Sequence, residues 1–427
     1  MEVSIKVTTS KAEEQFTKKV TGAKVSATTT DSVTLKWDKP TYAAGVVIRR
    51  YNETTGKYDT IAKLGTDKTS YTDKGLDAEK AYKYVIYTYK QNGTTTVLSD
   101  EYVKLSAKTQ QAQKQAEIIR YEGSNRFLTA VEISKASFPS GAKTVVLAYG
   151  MNYADALAGV SLAKAMNAPI LLTNLKAIPN ETLAEIKRLD AKNVIILGGI
   201  GAVSADVEKV LKKSVLKTER IAGATRFETA TKIAERLQIL NGKKPQEVFF
   251  VYAFNFADAL SVSAVAAVKG APVIYLKTMG DLDEATSAYL KSIKGSVNNA
   301  YVIGGDGVIS NDMMKKAGKA LGVTAKRVFG KDRFETCVAV NTKFKSVLNG
   351  DTICVATGMD FPDALAGGVF AAMNKAPLFL VNGKAKTLNL SDLQAAYLKT
   401  KAAKKICVLG GTGAVPDSHA LTIADAG

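Results

Sequence analysis

An aspartate recurs in three equivalent segments of the chain, at Asp155, Asp258 and Asp363. Each one follows an apolar run typical of a buried strand and precedes a pattern typical of a helix. A carboxylate at a helix N-terminus complements the helix dipole and can pair with an arginine. We therefore predict one structural ion pair within each segment, and ligand contact is the alternative. The predicted partners are Arg126, Arg226 and Arg333, in the same order.

Residues that could carry out a reaction do not recur beside these aspartates. General acid–base catalysis needs two positioned groups, and no second acid, base or nucleophile repeats with them. The chain has one histidine, His419, and three cysteines in separate apolar settings, at Cys337, Cys354 and Cys407. This composition disfavours charge-relay hydrolysis and a zinc site. We predict a protein that is not an enzyme and that uses no metal and no cofactor.

A glycine-rich turn follows a strand pattern in each segment, as in Gly198-Gly-Ile-Gly201. Such a turn before a helix could hold a phosphate group. However, a strict G-x-G-x-x-G pattern and a P-loop Lys-Ser/Thr pair are missing. A tight strand-to-helix turn, with Ser204 and Ser310 as helix caps, is the favoured interpretation.

These motifs belong to a tandem repeat of about 100 residues, the size of a small domain. The copies contain 120–130, 220–230 and 327–337, then 150–159, 253–261 and 358–367, then 168–172, 271–275 and 376–380, and finally 196–204, 302–310 and 408–416. Because four motifs recur in the same order in all three copies, the similarity between the copies is not a coincidence.

Secondary structure within one copy follows from its apolar periodicity. In the first copy we predict a helix from Arg126 and further helices at 153–166, 179–189 and 203–213, with strands at 143–149, 169–173 and 193–198. Apolar strands separated by helices indicate a mostly parallel sheet covered on both faces, a three-layer Rossmann/toprim-like α/β unit. Right-handed crossovers should bring the 152–155 loop and the Gly198-Gly199 turn together at the carboxyl edge of the sheet.

The residues before the repeats differ from them in composition and hydrophobic pattern. Short alternating runs rich in Thr, Tyr and Val, such as Ser32-Val-Thr-Leu-Lys-Trp37, predict an all-β sandwich over 21–109. Trp37 in an early strand, and Leu76 followed by Tyr82 and Tyr84, resemble a fibronectin type III module. The predicted boundaries are 1–20 (unassigned), 21–109 (sandwich), 110–117 (short helix or polar linker), 118–216, 217–323 and 324–427 (the three copies).

The four repeated motifs resemble the clostridial cell-wall-binding repeat of the second type, over about residues 118 to 425. The resemblance implies three copies about a pseudo-threefold axis and noncovalent attachment to an anionic secondary cell-wall polysaccharide. It also implies an extracellular location in the cell wall or S-layer, with other surface-layer proteins as further partners. The family's Ile-Leu-Leu strand, tied to anchoring, is complete only as Ile170, Leu171 and Leu172.

The charge of the chain agrees with a polyanionic partner. The chain has 58 Lys+Arg and 40 Asp+Glu, a net charge of +18, which favours polyanions in a salt-sensitive way. We expect some of the recurrent arginines to meet phosphate or acidic sugar at the repeat junctions, and the β-sandwich to act as a spacer or display module. The predicted polysaccharide-binding residues are Arg120, Arg126, Arg220, Arg226, Arg327, Arg333, Asn152, Asn255, Ile170, Leu171 and Leu172.

Two other functions compete with this one. A basic nucleic-acid-binding protein would fit the charge, but the sequence shows no cluster of aromatic and basic residues to go with it. A cell-wall hydrolase would need a reactive group of residues that the repeat does not show. No apolar run is long enough to span a membrane. The first residues do not read as a signal peptide. Because the resemblance implies secretion, we expect a mature or trimmed fragment.

Overall fold

The computed structural model describes residues 19–111, 115–214 and 217–427. The chain divides into two compact units, one ending at residue 114 and the other beginning at residue 115. Most of the predicted N-terminal segment 1–20 and part of the predicted linker 110–117 lie outside the described residues.

The first unit is an antiparallel β-sandwich. It contains β1 (Lys24–Thr28), β2 (Ser32–Lys36), β3 (Gly45–Asn52), β4 (Lys57–Gly65), β5 (Ser70–Lys74), β6 (Ala81–Asn92) and β7 (Thr95–Lys108). One sheet has the order β1-β2-β5 and the other β4-β3-β6-β7. Val33, Leu35 and Trp37 are buried between them, and the Tyr82 hydroxyl accepts a hydrogen bond from the Asp77 N–H at 2.8 Å. The predicted sandwich and its tyrosine corner are confirmed.

The second unit consists of three α/β copies. It opens with β8 (Glu117–Tyr121), followed by α1 (Arg126–Ser137), β9 (Thr144–Tyr149), α2 (Ala154–Ala158), α3 (Val160–Ala165), β10 (Ile170–Thr173), α4 (Asn180–Arg188), β11 (Asn193–Leu197) and α5 (Ala205–Lys213). The second copy contains β12 (Lys217–Ile221), α6 (Arg226–Asn241), β13 (Glu247–Tyr252), α7 (Ala257–Lys269), β14 (Val273–Leu276), α8 (Glu284–Ser292), β15 (Asn299–Ile303) and α9 (Asn311–Leu321). The third contains β16 (Lys326–Val328), α10 (Arg333–Lys343), β17 (Thr352–Thr357), α11 (Pro362–Met373), β18 (Leu378–Val381), α12 (Asp392–Lys401), β19 (Lys405–Leu409) and α13 (Asp417–Ala426).

The elements of each copy follow from its local sequence. The strands are short apolar runs that are almost fully buried, as parallel strands covered on both faces must be. Helices α1, α6 and α10 open the helical part of each copy, and each begins after a capping residue whose side chain accepts hydrogen bonds from backbone N–H groups of the first turn. The capping residues are Asn125, Thr225 and Asp332. The predicted elements are confirmed with two exceptions. The helix predicted over 153–166 is interrupted at Gly159, and the strand that opens each copy is absent from the prediction.

The three sheets exchange strands in a closed ring. Their orders are β10-β9-β11-β12, β14-β13-β15-β16 and β18-β17-β19-β8, and every pairing is parallel. The strand that opens each copy therefore completes the sheet of the preceding copy. For β12 and β16 this is the usual crossover through the intervening helix. Strand β8 opens the first copy, so no crossover helix leads into it from a preceding copy. Its pairing with β19 joins the first copy to the third and closes the ring.

The three copies also share a core around a pseudo-threefold axis. Helices α3, α7 and α11 contact one another, and one cluster of buried apolar side chains includes residues of all three copies. Val160, Ser263 and Gly368 occupy equivalent positions at this contact. A Cβ atom on Gly368 would lie 3.0 Å from Val160 Cγ1 and 3.2 Å from Ser263 Oγ. The predicted pseudo-threefold arrangement of α/β repeats is thus confirmed.

Among the described residues, no helix is both long and apolar enough to cross a bilayer.

Candidate binding clefts at the repeat junctions

The repeated aspartate lies against the repeated glycine turn within each copy. A Cβ atom on Gly198 would lie 2.4 Å from Asp155 Oδ2, and on Gly304 it would lie 2.5 Å from Asp258 Oδ2. Gly410 and the third aspartate repeat this arrangement. The glycines have φ angles of 100°, 107° and 101°, a region that other residues rarely adopt. The loop and the turn therefore meet at the carboxyl edge of the sheet, as the sequence predicted.

The arginine that faces each aspartate belongs to the following copy. Burial raises the pKa of Asp155, while the Thr229 side chain and the Arg226 guanidinium lower it. Burial likewise raises the pKa of Asp258 to about 6, and the Arg333 guanidinium acts in the opposite direction.

The third junction closes the ring in the same way. Burial and the carboxylate of Asp360 raise the pKa of Asp363 to about 6. Arg126 and Thr129 of the first copy lower it. Each junction is therefore built from two copies, with the first copy serving as the partner of the third.

The predicted ion pair within each copy is wrong. Among the described residues, no arginine nitrogen lies within 4.0 Å of Asp155, Asp258 or Asp363. The guanidinium groups donate instead to a backbone carbonyl at the end of a strand of their own copy. These bonds run from Arg126 to Gly150 O at 2.8 Å, from Arg226 to Ala253 O at 2.7 Å and from Arg333 to Gly358 O at 2.7 Å. This anchoring leaves each guanidinium facing the aspartate of the copy before it.

Three aromatic rings meet where the junctions converge. The ring centroid of Tyr153 lies 5.8 Å from those of Phe256 and Phe361, which are 6.0 Å apart. These residues occupy equivalent positions, two before the repeated aspartate. Each also lies under the guanidinium of the following copy. The distances from guanidinium carbon to ring centroid are 5.8 Å for Arg226 and Tyr153, 5.6 Å for Arg333 and Phe256, and 5.8 Å for Arg126 and Phe361. Cation–π contacts thus help to fix the arginines.

Open clefts lie at the first two junctions. The cleft between copies one and two has a volume of about 300 Å³, and its lining includes Asn152, Asp155 and Arg226. The cleft between copies two and three has a volume of about 260 Å³, with Asn255, Asp258 and Arg333 in equivalent places. The structure therefore brings these predicted site residues together, each set from two adjacent copies.

Apolar side chains project near these clefts at equivalent positions in the three copies. Met151, Phe254 and Met359 are 54%, 55% and 36% exposed. The guanidinium of Arg226 lies 5.1 Å from the ring centroid of Phe254. A ligand that reaches this arginine would therefore also meet an exposed aromatic ring.

The third junction carries an additional carboxylate. Asp360 stands where the other copies have Asn152 and Asn255, and its Oδ2 lies 3.6 Å from Arg126 Nη2. The two asparagines use Oδ1 to accept the N–H of a residue two positions later, at 3.2 Å in both copies, so their amide NH₂ groups remain as donors. The three junctions are therefore chemically different.

The other three recurrent arginines hold the glycine turns. Arg120 donates to Gly410 O at 2.7 Å, and it also pairs with Asp417 at 2.6 Å. Arg220 and Arg327 donate to the first glycine of the turn in the preceding copy, both at 2.8 Å. The side chains of Arg120 and Arg220 are only 14% and 17% exposed, and burial lowers the pKa of Arg327. These contacts attach one copy to the next, so we leave the three arginines out of the proposed ligand contacts.

The Ile-Leu-Leu strand does not reach the surface. Ile170, Leu171 and Leu172 form β10 and are 1% exposed or less. The prediction that they contact a polysaccharide is corrected, because a strand covered on both faces leaves no side chain for an external ligand. Their contribution to the protein is to the core of the first copy.

Sequence reasoning missed two parts of the junctions. Asp360 and the aromatic residues Tyr153, Phe256 and Phe361 lie inside a repeated motif, but none of them is among the predicted site residues. A comparison of each position across the copies would have drawn attention to them, since one position changes from amide to acid and the next is aromatic throughout.

Three segments of the chain match the family described as Cell wall binding domain 2, over residues 120–208, 220–314 and 327–420. Together they make up more than half of the chain. The chain belongs to the cell wall binding domain 2 family. The predicted resemblance of the repeats is thereby confirmed, and the described junctions are junctions between cell wall binding domains.

One relative of this chain is a bacterial amidase. N-acetylmuramoyl-L-alanine amidase LytC of Bacillus subtilis (strain 168) is 34% identical over 296 residues, which cover 69% of this chain and 56% of that protein. The chain thus spans little more than half the length of this relative.

Two solved structures have the same fold. Cwp8 from Clostridium difficile is 24% identical, with a TM-score of 0.64 over 95% of this chain and 80% of that one. Cwp6 from the same organism is 23% identical, with a TM-score of 0.68 over 94% of this chain and 66% of that one.

Proposed function

We propose that the three repeats attach this protein noncovalently to a Gram-positive cell wall, by binding an anionic secondary cell-wall polysaccharide in the junction clefts. The observation that carries the proposal is the placement of Arg226 and Arg333, each beside a cleft formed by two copies. The protein would act outside the cell, in the wall or S-layer. The β-sandwich would serve as a spacer or display module, with other surface-layer proteins as further partners.

The junction arginines retain donors for an anionic ligand. A guanidinium has five N–H groups in a planar fork that suits phosphate and carboxylate. One nitrogen of Arg333 donates to a backbone carbonyl, and no carboxylate lies within 4.0 Å of this arginine or of Arg226 in the described part of the chain. The neighbouring asparagine amides add donors suited to sugar hydroxyls.

The ring arrangement suits a ligand that repeats. A polysaccharide presents the same anionic unit many times, and the closed unit presents similar clefts at a fixed spacing. Once one cleft is occupied, a second contact becomes intramolecular, so weak contacts add to a strong attachment. We also propose that the repeats bind the polymer without cleaving it. Asp155 is the one carboxylate that lines the first of the two described clefts, and the second carboxylate of the other cleft, Asp332, caps helix α10 by accepting two backbone N–H groups, whereas acid–base chemistry needs two positioned groups.

The experiment replaces the junction arginines singly and together, as Arg126→Gln, Arg226→Gln and Arg333→Gln. A matched control replaces three exposed lysines, one per copy, as Lys213→Gln, Lys319→Gln and Lys404→Gln. Co-sedimentation with polymer-bearing cell walls is measured over a range of salt concentrations, with walls stripped of the polymer in parallel. We expect the triple arginine variant to lose at least tenfold in affinity and the lysine control to lose much less, because only the arginines lie at the clefts.

Equal retention on stripped and polymer-bearing walls would contradict the proposal. Equal losses of affinity in the arginine and lysine variants would also contradict it, because they would show that binding depends on net charge and not on the clefts. Release of sugar or peptide from the walls by the purified chain would contradict the statement that the repeats do not cleave them.

A further inference from the structure

The four-stranded sheet of the first unit has one core face and one outer face. Val46, Ile48, Tyr84 and Ile86 belong to the core cluster of the sandwich. Residues that alternate with them point away from the core. They carry four tyrosines and four cationic side chains, on strands β3, β4, β6 and β7: Arg49, Tyr51, Tyr58, Lys63, Lys83, Tyr87, Tyr102 and Lys104. We call this set the tyrosine–lysine face.

Strand register places these side chains side by side. Tyr51 pairs with Tyr58 across β3 and β4, and Tyr87 pairs with Tyr102 across β6 and β7. The ring centroids are 5.2 Å apart in the first pair and 4.8 Å apart in the second. From the spacings of strands and residues, the face measures roughly 14 Å in each direction. It is a continuous surface that no single segment of the sequence contains.

Each cation of the face lies over a tyrosine ring. The distances to the ring centroid are 5.5 Å for Arg49 over Tyr87, 5.5 Å for Lys83 over Tyr51 and 5.6 Å for Lys104 over Tyr102. Lys63 lies 4.6 Å from the centroid of Tyr89, at the margin of the face. Contacts of this kind hold the charges in place at the surface.

The positive charges of the face have no acidic partners. Among the described residues, no carboxylate lies within 4.0 Å of the charged nitrogens of Arg49, Lys63, Lys83 or Lys104. The three lysines are exposed and the arginine is half-buried. The statement that the chain has no cluster of aromatic and basic residues is therefore corrected. The cluster exists, but the sheet assembles it from four strands.

We propose that the tyrosine–lysine face is a second binding surface, for an anionic polysaccharide that lies across the sheet. Charge complementarity identifies the partner as a polyanion. The tyrosine hydroxyls can form hydrogen bonds with sugar hydroxyls while the ammonium groups pair with the acidic groups of the same chain. This surface lies entirely on the first unit and is separate from the junction clefts of the repeats.

Ring geometry favours a polysaccharide over a single-stranded nucleic acid. Nucleic-acid platforms bind by stacking bases on open aromatic faces. Here a cation already lies over one face of Tyr51, Tyr87 and Tyr102, so a stacked base would have to displace it. A chain of acidic sugars requires only the cations and the ring hydroxyls.

The test uses the full chain and two variants that remove equal charge. The first replaces the face, as Arg49→Gln, Lys83→Gln and Lys104→Gln. The matched control replaces exposed lysines of the opposite sheet, as Lys24→Gln, Lys36→Gln and Lys74→Gln. Affinity is measured for polygalacturonate, for neutral dextran and for single-stranded poly-dT, at several salt concentrations. The junction arginines are unchanged in both variants, so a difference between them reports on the face.

We expect the face variant to lose about tenfold in affinity for polygalacturonate at low salt, with the salt dependence reduced by about one unit of slope per cation removed. The control should lose less than threefold. Tyr51→Phe with Tyr102→Phe, which keeps the rings and the cation contacts, should weaken binding severalfold through the lost hydroxyls. Equal losses in both charge variants would overturn the proposal. Tighter binding of poly-dT than of polygalacturonate, lost with the same residues, would also overturn it.

Discussion

The guanidinium of Arg126, at the start of the first copy, lies 3.6 Å from the carboxylate of Asp360 in the third copy. This pair is where the ring of copies closes. The other two junctions have an asparagine in place of Asp360. Among the described residues, this is therefore the junction whose arginine has a carboxylate within 4.0 Å. An anionic ligand would therefore meet a less favourable field here than at the other two.

We predict that Asp360→Asn strengthens binding of the anionic polymer three- to tenfold, because the change frees Arg126 and removes a repelling charge. The reverse change, Asn255→Asp, should weaken binding by a similar factor. Asp190→Asn serves as the control, since Asp190 is highly exposed and precedes β11, away from the carboxyl edge. Titration calorimetry with the polymer would measure both affinity and stoichiometry. An equal gain from Asp190→Asn would contradict the prediction.

The buried carboxylates of the junctions should make stability depend on pH. Burial raises the pKa of Asp258 from 3.8 to about 6, so the folded protein holds this proton more tightly than the unfolded chain. The contribution is complete below pH 4 and is lost as the pH rises to 6. Asp258→Asn cannot ionise and should not show this loss, so we expect its free energy of unfolding, relative to that of the unchanged chain, to rise by up to about 3 kcal/mol between pH 4 and pH 8. Urea unfolding from pH 4 to pH 8 would show it as a difference from the unchanged chain.

The same titration should affect binding. Protonation of Asp258 below pH 6 removes a negative charge beside Arg333, so a ligand that stays ionised should bind more tightly at pH 5 than at pH 7. If Asp258→Asn shows the same pH dependence of stability and binding as the unchanged chain, this assignment is wrong.

The glycine turn offers a matched pair of substitutions. Gly198 has φ of 100°, and a Cβ there would lie 2.4 Å from Asp155 Oδ2. A Cβ on the adjacent Gly199 would meet no atom within 4 Å. We expect Gly198→Ala to lower the free energy of unfolding by about 1–3 kcal/mol through backbone strain and the clash. Gly199→Ala should change it by less than about 0.5 kcal/mol, and equal effects in thermal unfolding would contradict this account.

The buried strand β10 should matter for stability and not for direct polymer contact. We expect Leu171→Ala to lower the free energy of unfolding by about 2–5 kcal/mol, because Leu171 is fully buried. Under conditions where the variant is folded, its affinity for the polymer should equal that of the unchanged chain. Circular dichroism would define these conditions, and a loss of affinity in the folded variant would restore this strand to the binding site.

Packing at the pseudo-threefold axis can be tested by a double substitution. Gly368→Val should lower the free energy of unfolding by about 1–3 kcal/mol, because a Cβ there already lies 3.0 Å from Val160 Cγ1. Val160→Ala in the same chain should relieve part of this loss. The expected coupling between the two sites is at least about 0.5 kcal/mol in a double-mutant cycle. Additive effects would show that the two positions are not in contact.

The amino-acid sequence alone determined the parts of this protein that depend on local spacing. Repeated motifs fixed the number of copies, and apolar strands alternating with helices predicted parallel α/β units. The right-handed crossover then placed Asp155 beside Gly198, since loop and turn lie within one copy. The tyrosine corner of the sandwich was predictable for the same reason.

Tertiary structure alone decided the contacts between copies and across strands. Which arginine faces Asp155 depends on the strand exchange that brings Arg226 to the first copy, and the contact of Arg126 with Asp360 depends on closure of the ring. The tyrosine–lysine face depends on the register of four strands. In each case the interacting groups are far apart in sequence, so only the packing of the whole chain brings them together.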